Sequence, residues 1–218
     1  MTQLLITIDG PAGAGKTTVS QMLADRLSYR YIDTGALYRG IALEANAAGL
    51  SPEDDEGLET LCRNLKLRFV RTENGTRLFS NDSDISDHIR TPEITMLSSA
   101  FSARPVVRAA LLGVQREMGR EKCAVFEGRD MGTVVFPDAD VKFFLTASSK
   151  ARAARRYKEF AGQSSQTLED VERDIRQRDK NDESRAVAPL KPAKDAIHVD
   201  SGDLSPEGVV EQMLSHIG

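Results

Sequence analysis

The segment LLITIDGPAGAGKTTV, Leu4 to Val19, constrains this chain more than any other stretch. Leu4–Asp9 is a short apolar run, hence a buried strand. Lys16–Leu27 has helical spacing, with Val19, Met22, Leu23 and Leu27 on one face. Between them lies Gly10-x-x-x-x-Gly15-Lys16-Thr17, the Walker A pattern in its required context, after a strand and before a helix. Its glycines let backbone N–H groups curl around phosphate oxygens, and the helix N-terminus adds partial positive charge. The candidate triphosphate site is therefore Gly10, Pro11, Ala12, Gly13, Ala14, Gly15, Lys16, Thr17 and Thr18. In such a loop Lys16 reaches the β- and γ-phosphates and the Thr17 hydroxyl ligates Mg²⁺. Binding follows from this loop; the reaction does not.

Further strands are expected at Tyr29–Asp33, Cys123–Glu127, Val141–Thr146 and Ala196–Val199. Helices are expected at Gly35–Ala48, Pro92–Ser102, Pro105–Arg120, Ser149–Ala161 and Thr167–Asp179. Ser51-Pro52-Glu53 and Ser205-Pro206-Glu207 read as the caps of two more. Alternating strands and helices imply a parallel sheet covered on both faces. LRFVRTENGTRLFS breaks the pattern: Asn74-Gly75 between two strand-like pieces signals an antiparallel hairpin. Roughly Glu53–Ile94 is therefore assigned to an inserted lobe, and Ala161–Gln166 reads as a flexible hinge.

The chain has 218 residues, 40% of them hydrophobic, enough for one sizeable core with a small insert. A net charge of −4 offers no global basic field for a nucleic acid polymer or a membrane surface. No apolar run reaches a membrane span and no leader peptide is evident, so a cytoplasmic protein is expected. Cys62 and Cys123 read as reduced thiols, and His88, His198 and His216 are dispersed. No sustained apolar stripe suggests a dimer face, so a monomer is expected.

The arginines are less even. DTGALYR, Asp33–Arg39, places Arg39 in a helix following the second strand, and Arg129 follows the third. Ligands of open α/β sheets bind beyond the carboxyl ends of the strands, so both arginines point to one crevice. Arg152, Arg155 and Arg156 share one face of a basic helix, as arginines of a closing lid would. Arg178, Asp179, Asp182 and Arg185 follow, with the helix expected to fail before Pro189. Such clusters suit an enzyme that holds two polyanions together against their repulsion.

In this order, IDGPAGAGKTT, DTGALYR, EGRDMGTVVFPDA, RD..D..RAVAPL and DAIHVDS resemble the bacterial cytidylate kinases, within the nucleoside monophosphate kinases. The resemblance runs nearly end to end. It implies a three-layer α/β P-loop fold with a central parallel five-stranded sheet, an inserted domain with a small antiparallel sheet, and a short lid. The implied division is a core at residues 1–34, 104–148 and 166–218, an acceptor-binding domain at 35–103 and a lid at 149–165. It also implies roles. Arg39, Arg129 and Arg185 would hold the CMP phosphate. Thr34, Ser99, Arg108 and Asp130 would read cytosine, and Arg178 with Asp182 the ribose. Lys16, Arg129, Arg152 and Arg156 would stabilise the transferred phosphoryl group, and Glu127 would approach Mg²⁺ through water. Cytosine N4 is a donor that a carboxylate accepts, while uracil presents an acceptor there.

The expected reaction is ATP with CMP or dCMP to ADP with CDP or dCDP, with Mg²⁺ accompanying ATP. Rival readings are a kinase for another small acceptor and a nucleotide-dependent switch. A hydroxyl acceptor would call for a carboxylate base and fewer arginines; a switch would show hydrolysis without acceptor.

Overall fold

The structure is a computed structural model and describes residues 3–73, 75–159 and 166–217. Asn74 of the expected hairpin turn and residues 161–165 of the expected hinge lie outside the described residues. In chain order the first elements are β1 (Leu5–Asp9), α1 (Lys16–Leu27), β2 (Arg30–Asp33), α2 (Thr34–Ala47), α3 (Asp55–Asn64), β3 (Leu67–Thr72), β4 (Gly75–Ser80) and β5 (Ser83–Asp84). Then follow α4 (Pro92–Ser102), α5 (Pro105–Gly119), β6 (Ala124–Gly128), β7 (Val141–Thr146), α6 (Ser149–Glu159), α7 (Leu168–Ser184), β8 (Ile197–Asp200) and α8 (Pro206–Leu214). These elements form two compact units, one of residues up to Asp33 with Gly119 onward, the other Thr34–Met118.

The first unit is built on a parallel sheet in the order β2-β6-β1-β7-β8, five strands as expected. Ile6, Ile8, Val125, Phe143, Leu145 and Val199 pack against Val19 and Leu23 of α1 and Val209, Val210 and Met213 of α8. The chain goes from β1 to β2 on one side, and from β6 to β7 across β1 on the other. The carboxyl ends of β1 and β6 thus lie at a topological switch point, where such sheets take their ligands. Asp9 is in register with Gly128, and Asp33 with Glu127. The glycine loop and Arg129 therefore leave the sheet side by side.

The second unit holds the expected antiparallel hairpin, β3 with β4, registered from Leu67 opposite Ser80 to Thr72 opposite Gly75. The short β5 adds a third strand that the sequence pattern did not announce. Leu67, Leu78, Ile85 and Ile89 pack with Leu37, Ile41 and Ala45 of α2, and with Phe101, Val107 and Leu111. Gly40 permits this approach: a Cβ there would lie 3.2–3.3 Å from Leu67, Leu78 and Ile85.

Some boundaries differ from expectation. Helix α3 starts after Asp54, not at Ser51-Pro52-Glu53, because the Asp54 carboxylate accepts from the Gly57 N–H. The Ser51 hydroxyl instead accepts from the Glu53 N–H within its own turn. Helix α7 runs past Asp179 to Ser184, started by a capping box between Thr167 and Asp170. Asp182 thus sits in its last turn and Arg185 caps it. No helix among the described residues is long and apolar enough to cross a membrane.

Candidate active site

The loop between β1 and α1 is held from outside by its carbonyls. Lys16 Nζ donates to Pro11 O at 2.8 Å, and Arg152 Nη1 to Ala12 O at 2.9 Å. The Ser201 hydroxyl, just past β8, donates to Ala14 O at 2.9 Å. Peptide planarity turns the next N–H the opposite way, so the N–H groups of Ala12, Gly13 and Gly15 point away from these anchors. That is the arrangement a phosphate cradle needs. Gly10, with φ 152°, cannot be replaced: a Cβ would lie 2.1 Å from the Leu145 carbonyl oxygen.

Glu127 lies near the end of β6, only 4% exposed. Its Oε1 accepts from the Thr17 hydroxyl at 2.8 Å and from the Tyr31 hydroxyl at 2.5 Å. Burial and the Asp33 carboxylate push the Glu127 carboxyl up, while Lys16, Tyr31 and Thr17 oppose them. Burial and the Arg129 guanidinium hold the Lys16 ammonium well below its usual range, with Arg178 adding to the effect. A buried ammonium held down by neighbouring cations is poised for a polyanion, whose arrival reverses the sign.

Beyond β6 the chain makes one π-helical turn, Met131–Val135. Asp9 fastens it: its two carboxylate oxygens accept from the N–H groups of Met131 at 2.9 Å and Gly132 at 2.8 Å. The residue before the phosphate loop thereby holds the turn that follows Arg129 and Asp130. Arg129 Nε donates to Asp182 Oδ2 at 3.0 Å and its Nη1 to Gly128 O at 3.1 Å. Arg185 Nε donates to the Asp182 backbone carbonyl at 3.3 Å. Burial alone would raise the Asp182 carboxyl, but Arg129, Arg185 and Arg178 outweigh it and hold it below the ordinary carboxylate range.

The cytidylate kinase family profile matches residues 6–218. The chain belongs to the cytidylate kinase family. A cytidylate kinase of Citrifermentans bemidjiense is 50% identical over 98% of this chain and 92% of its own. One from Geobacter sulfurreducens is 49% identical over 97% of this chain and 91% of its own. A solved shikimate kinase from Acinetobacter baumannii has a TM-score of 0.50 at 16% identity, over 99% of this chain and 93% of that one. That likeness shows the P-loop kinase fold.

In this member of the cytidylate kinase family the remaining expected residues fall as follows. Arg152 is buried, with Nε on Ala147 O at 2.9 Å and Nη2 on Asp179 Oδ2 at 2.6 Å, besides its bond to Ala12. Arg156 lies half-buried on α6, 4.0 Å from Glu159. Between them Arg155 donates to the hydroxyl and carbonyl of Ser201. Arg178 is half-buried on α7, and Asp130 is buried. The second unit carries Thr34 and Arg39 on α2, Ser99 on α4 and Arg108 on α5. Arg108 is buried over the Tyr38 ring, 5.2 Å from its centroid, and donates to Ser102 O at 3.0 Å. Tyr31, Asp9, Asp179 and Ser201 were not among the expected site residues. Asp179 stands in the charged cluster read from α7 and Ser201 in the DAIHVDS motif, while Asp9 carries its own signal, a carboxylate ending a buried strand beside the loop.

Asp9 makes a testable prediction about stability. Burial, only partly offset by its two backbone bonds, raises its carboxyl from the ordinary 3.8 to about 6. The folded protein then binds more protons than the unfolded one between those values, so this group's contribution to stability falls as pH rises from about 4 to about 6. Two pH units correspond to about 3 kcal/mol. Denaturant melts of wild type and Asp9→Asn should show a stability difference that moves by about 3 kcal/mol against wild type over this window. A pH-independent difference would mean that Asp9 is ionised alike in both states.

Proposed function

We propose that this chain transfers the γ-phosphoryl group of ATP to CMP or dCMP, giving ADP and CDP or dCDP. The observation that carries the reading is the junction of β1 and β6. There Lys16, the Thr17–Glu127 pair and the Arg129–Asp182 pair meet at the carboxyl ends of neighbouring strands, in a chain of this family.

The attacking atom is an oxygen of the acceptor phosphate, already ionised at neutral pH, so no general base is required. Catalysis is positioning and charge neutralisation. Lys16 stabilises the transferred group and the loop N–H groups hold the donor phosphates. Arg39, Arg129 and Arg185 take the acceptor phosphate. Thr34, Ser99, Arg108 and Asp130 read the base, and Arg178 and Asp182 the ribose. The Thr17 hydroxyl and Glu127 carboxylate are hard oxygen donors that suit Mg²⁺, directly and through water. Thr17 donates its proton to Glu127 and keeps its oxygen lone pairs for the cation. Mg²⁺ supplies neutralisation of the β- and γ-phosphate charge. The partners are small molecules, and a monomer in the cytoplasm suffices for this chemistry.

ADP formation from Mg-ATP should be measured with CMP, dCMP, UMP, AMP and no acceptor. kcat/KM for UMP should fall below that for CMP by about 10²-fold, because uracil leaves the Asp130 carboxylate facing an acceptor. Equal turnover with UMP would sink the base assignments. ADP release indifferent to every acceptor would sink the kinase reading.

A further inference from the structure

Arg152 was expected to touch the transferred phosphoryl group, yet its surroundings give it different work. Its side chain is 7% exposed and all of its nitrogens are engaged within the fold. Nε donates to Ala147 O in the turn before α6, Nη1 to Ala12 O in the phosphate loop, and Nη2 to Asp179 Oδ2 on α7. Reaching a phosphate would mean breaking these bonds in a dry environment, where each is costly to lose. Asp179 is equally tied down. Its side chain is 14% exposed, and its other oxygen, Oδ1, is buried and accepts no hydrogen bond among the described residues. The bond to Arg152 is what compensates this carboxylate for leaving water.

We propose that Asp179 and Arg152 form a positioning pair that sets the phosphate loop from behind. The Ala12 carbonyl, drawn to Arg152, turns the Gly13 N–H away from Arg152. Gly13 also leaves room for the anchor, since a Cβ there would lie 3.2 Å from the Arg152 Cβ. Helix α7 is a firm base for this, because Val171 and Ile175 pack on Ala153 of α6, one residue from Arg152. Arg152 thus acts on ATP through the backbone of the loop. Asp179, whose side chain accepts from Arg152, acts through it. The inference rests on the reading of this loop as the donor site, and it deepens that reading.

The two roles of Arg152 predict opposite behaviour for Asp179→Asn. If Arg152 positions the loop, Asp179→Asn weakens Mg-ATP binding. If Arg152 grips phosphate directly, losing its internal partner frees it, and binding is unchanged or tighter. The measurement is the Mg-ATP dissociation constant by titration calorimetry, without acceptor, for wild type, Asp179→Asn, Arg152→Lys and the double variant. CMP KM at saturating ATP and thermal melts accompany it. Each single variant should weaken ATP binding about tenfold, and the double variant should be no worse than the weaker single. CMP KM should stay within about twofold, since coupling fades for groups outside the shared network. Unchanged or tighter ATP binding by Asp179→Asn would overturn the proposal, as would multiplicative effects in the double variant. A parallel rise in both constants with a collapsing melt would also overturn it, showing general loosening. Should Asp179→Asn fail to fold, Arg152→Lys and Asp179→Glu decide by the same criteria, with the glutamate expected to restore part of the binding. Wild type that binds ATP but turns over no CMP would fail the functional reading and leave this pair to be judged on its own.

Discussion

Lys16→Met should lower kcat by about 10³-fold while the protein stays folded. The ammonium is buried, 7% exposed, and bonded to Pro11 O, so in the role proposed above it is held ready where charge develops on the transferred group. A donor of that kind stabilises the transition state without reorganising at the moment of reaction. The same burial, with Arg129 and Arg178 nearby, holds the free group below its ordinary range. Lys16 is thus strained by its setting before ATP arrives, and folding gains little from its charge. Methionine keeps the unbranched apolar stem and removes the repulsion. The expected pairing is therefore a collapsed kcat with an unchanged or raised melting temperature. Coupled ADP release and a thermal melt on the same preparation check it. A variant that unfolds, or one within tenfold of wild-type kcat, would reject this view of Lys16.

Local signals carried much of this molecule. Strand, glycine loop and helix were readable because each has its own periodicity, and Asn74-Gly75 announced the hairpin by turn chemistry alone. The start of α3 is not legible in the sequence because Ser51-Pro52 and Asp54 are both valid caps, and only the packed helix shows which N–H is satisfied. The π-helical turn after Asp130 had no sequence cue. It depends on Asp9, distant in the chain and brought alongside by the pairing of β1 with β6. Arg152, Arg155 and Arg156 looked alike as one basic helical face. Tertiary bonds separate them, one to the phosphate loop, one to Ser201, and one half-buried beside Glu159. Spacing can put arginines on one face, but it cannot say which carbonyls or carboxylates that face will meet. For the same reason Tyr31 has no sequence signal, since its bond exists only once β2 lies beside β6 and its hydroxyl meets Glu127.

Arg129→Ala should raise the CMP KM by about 10²-fold or more and destabilise the protein by about 3 kcal/mol at neutral pH. Both effects come from one guanidinium. Its Nε holds Asp182, whose side chain is 6% exposed, and in the role proposed above the remaining charge serves the acceptor phosphate. Removing it leaves a buried carboxylate with weaker compensation, since Arg185 reaches Asp182 Oδ1 only at 3.9 Å. The two effects can be parted by pH. Asp182 is held below its ordinary range, so it contributes stability that is present above the unfolded carboxylate pKa and lost as pH falls through the folded value. The stability gap between wild type and Arg129→Ala should therefore shrink in acid. Arg129→Lys keeps the charge but loses the fork, and should recover more of the stability than of the CMP affinity. Denaturant melts across pH and CMP titrations at saturating ATP measure the two separately. If the stability gap appears and the CMP KM does not move, the turn after β6 serves to hold Asp182, and the proposed contact of Arg129 with the acceptor phosphate fails.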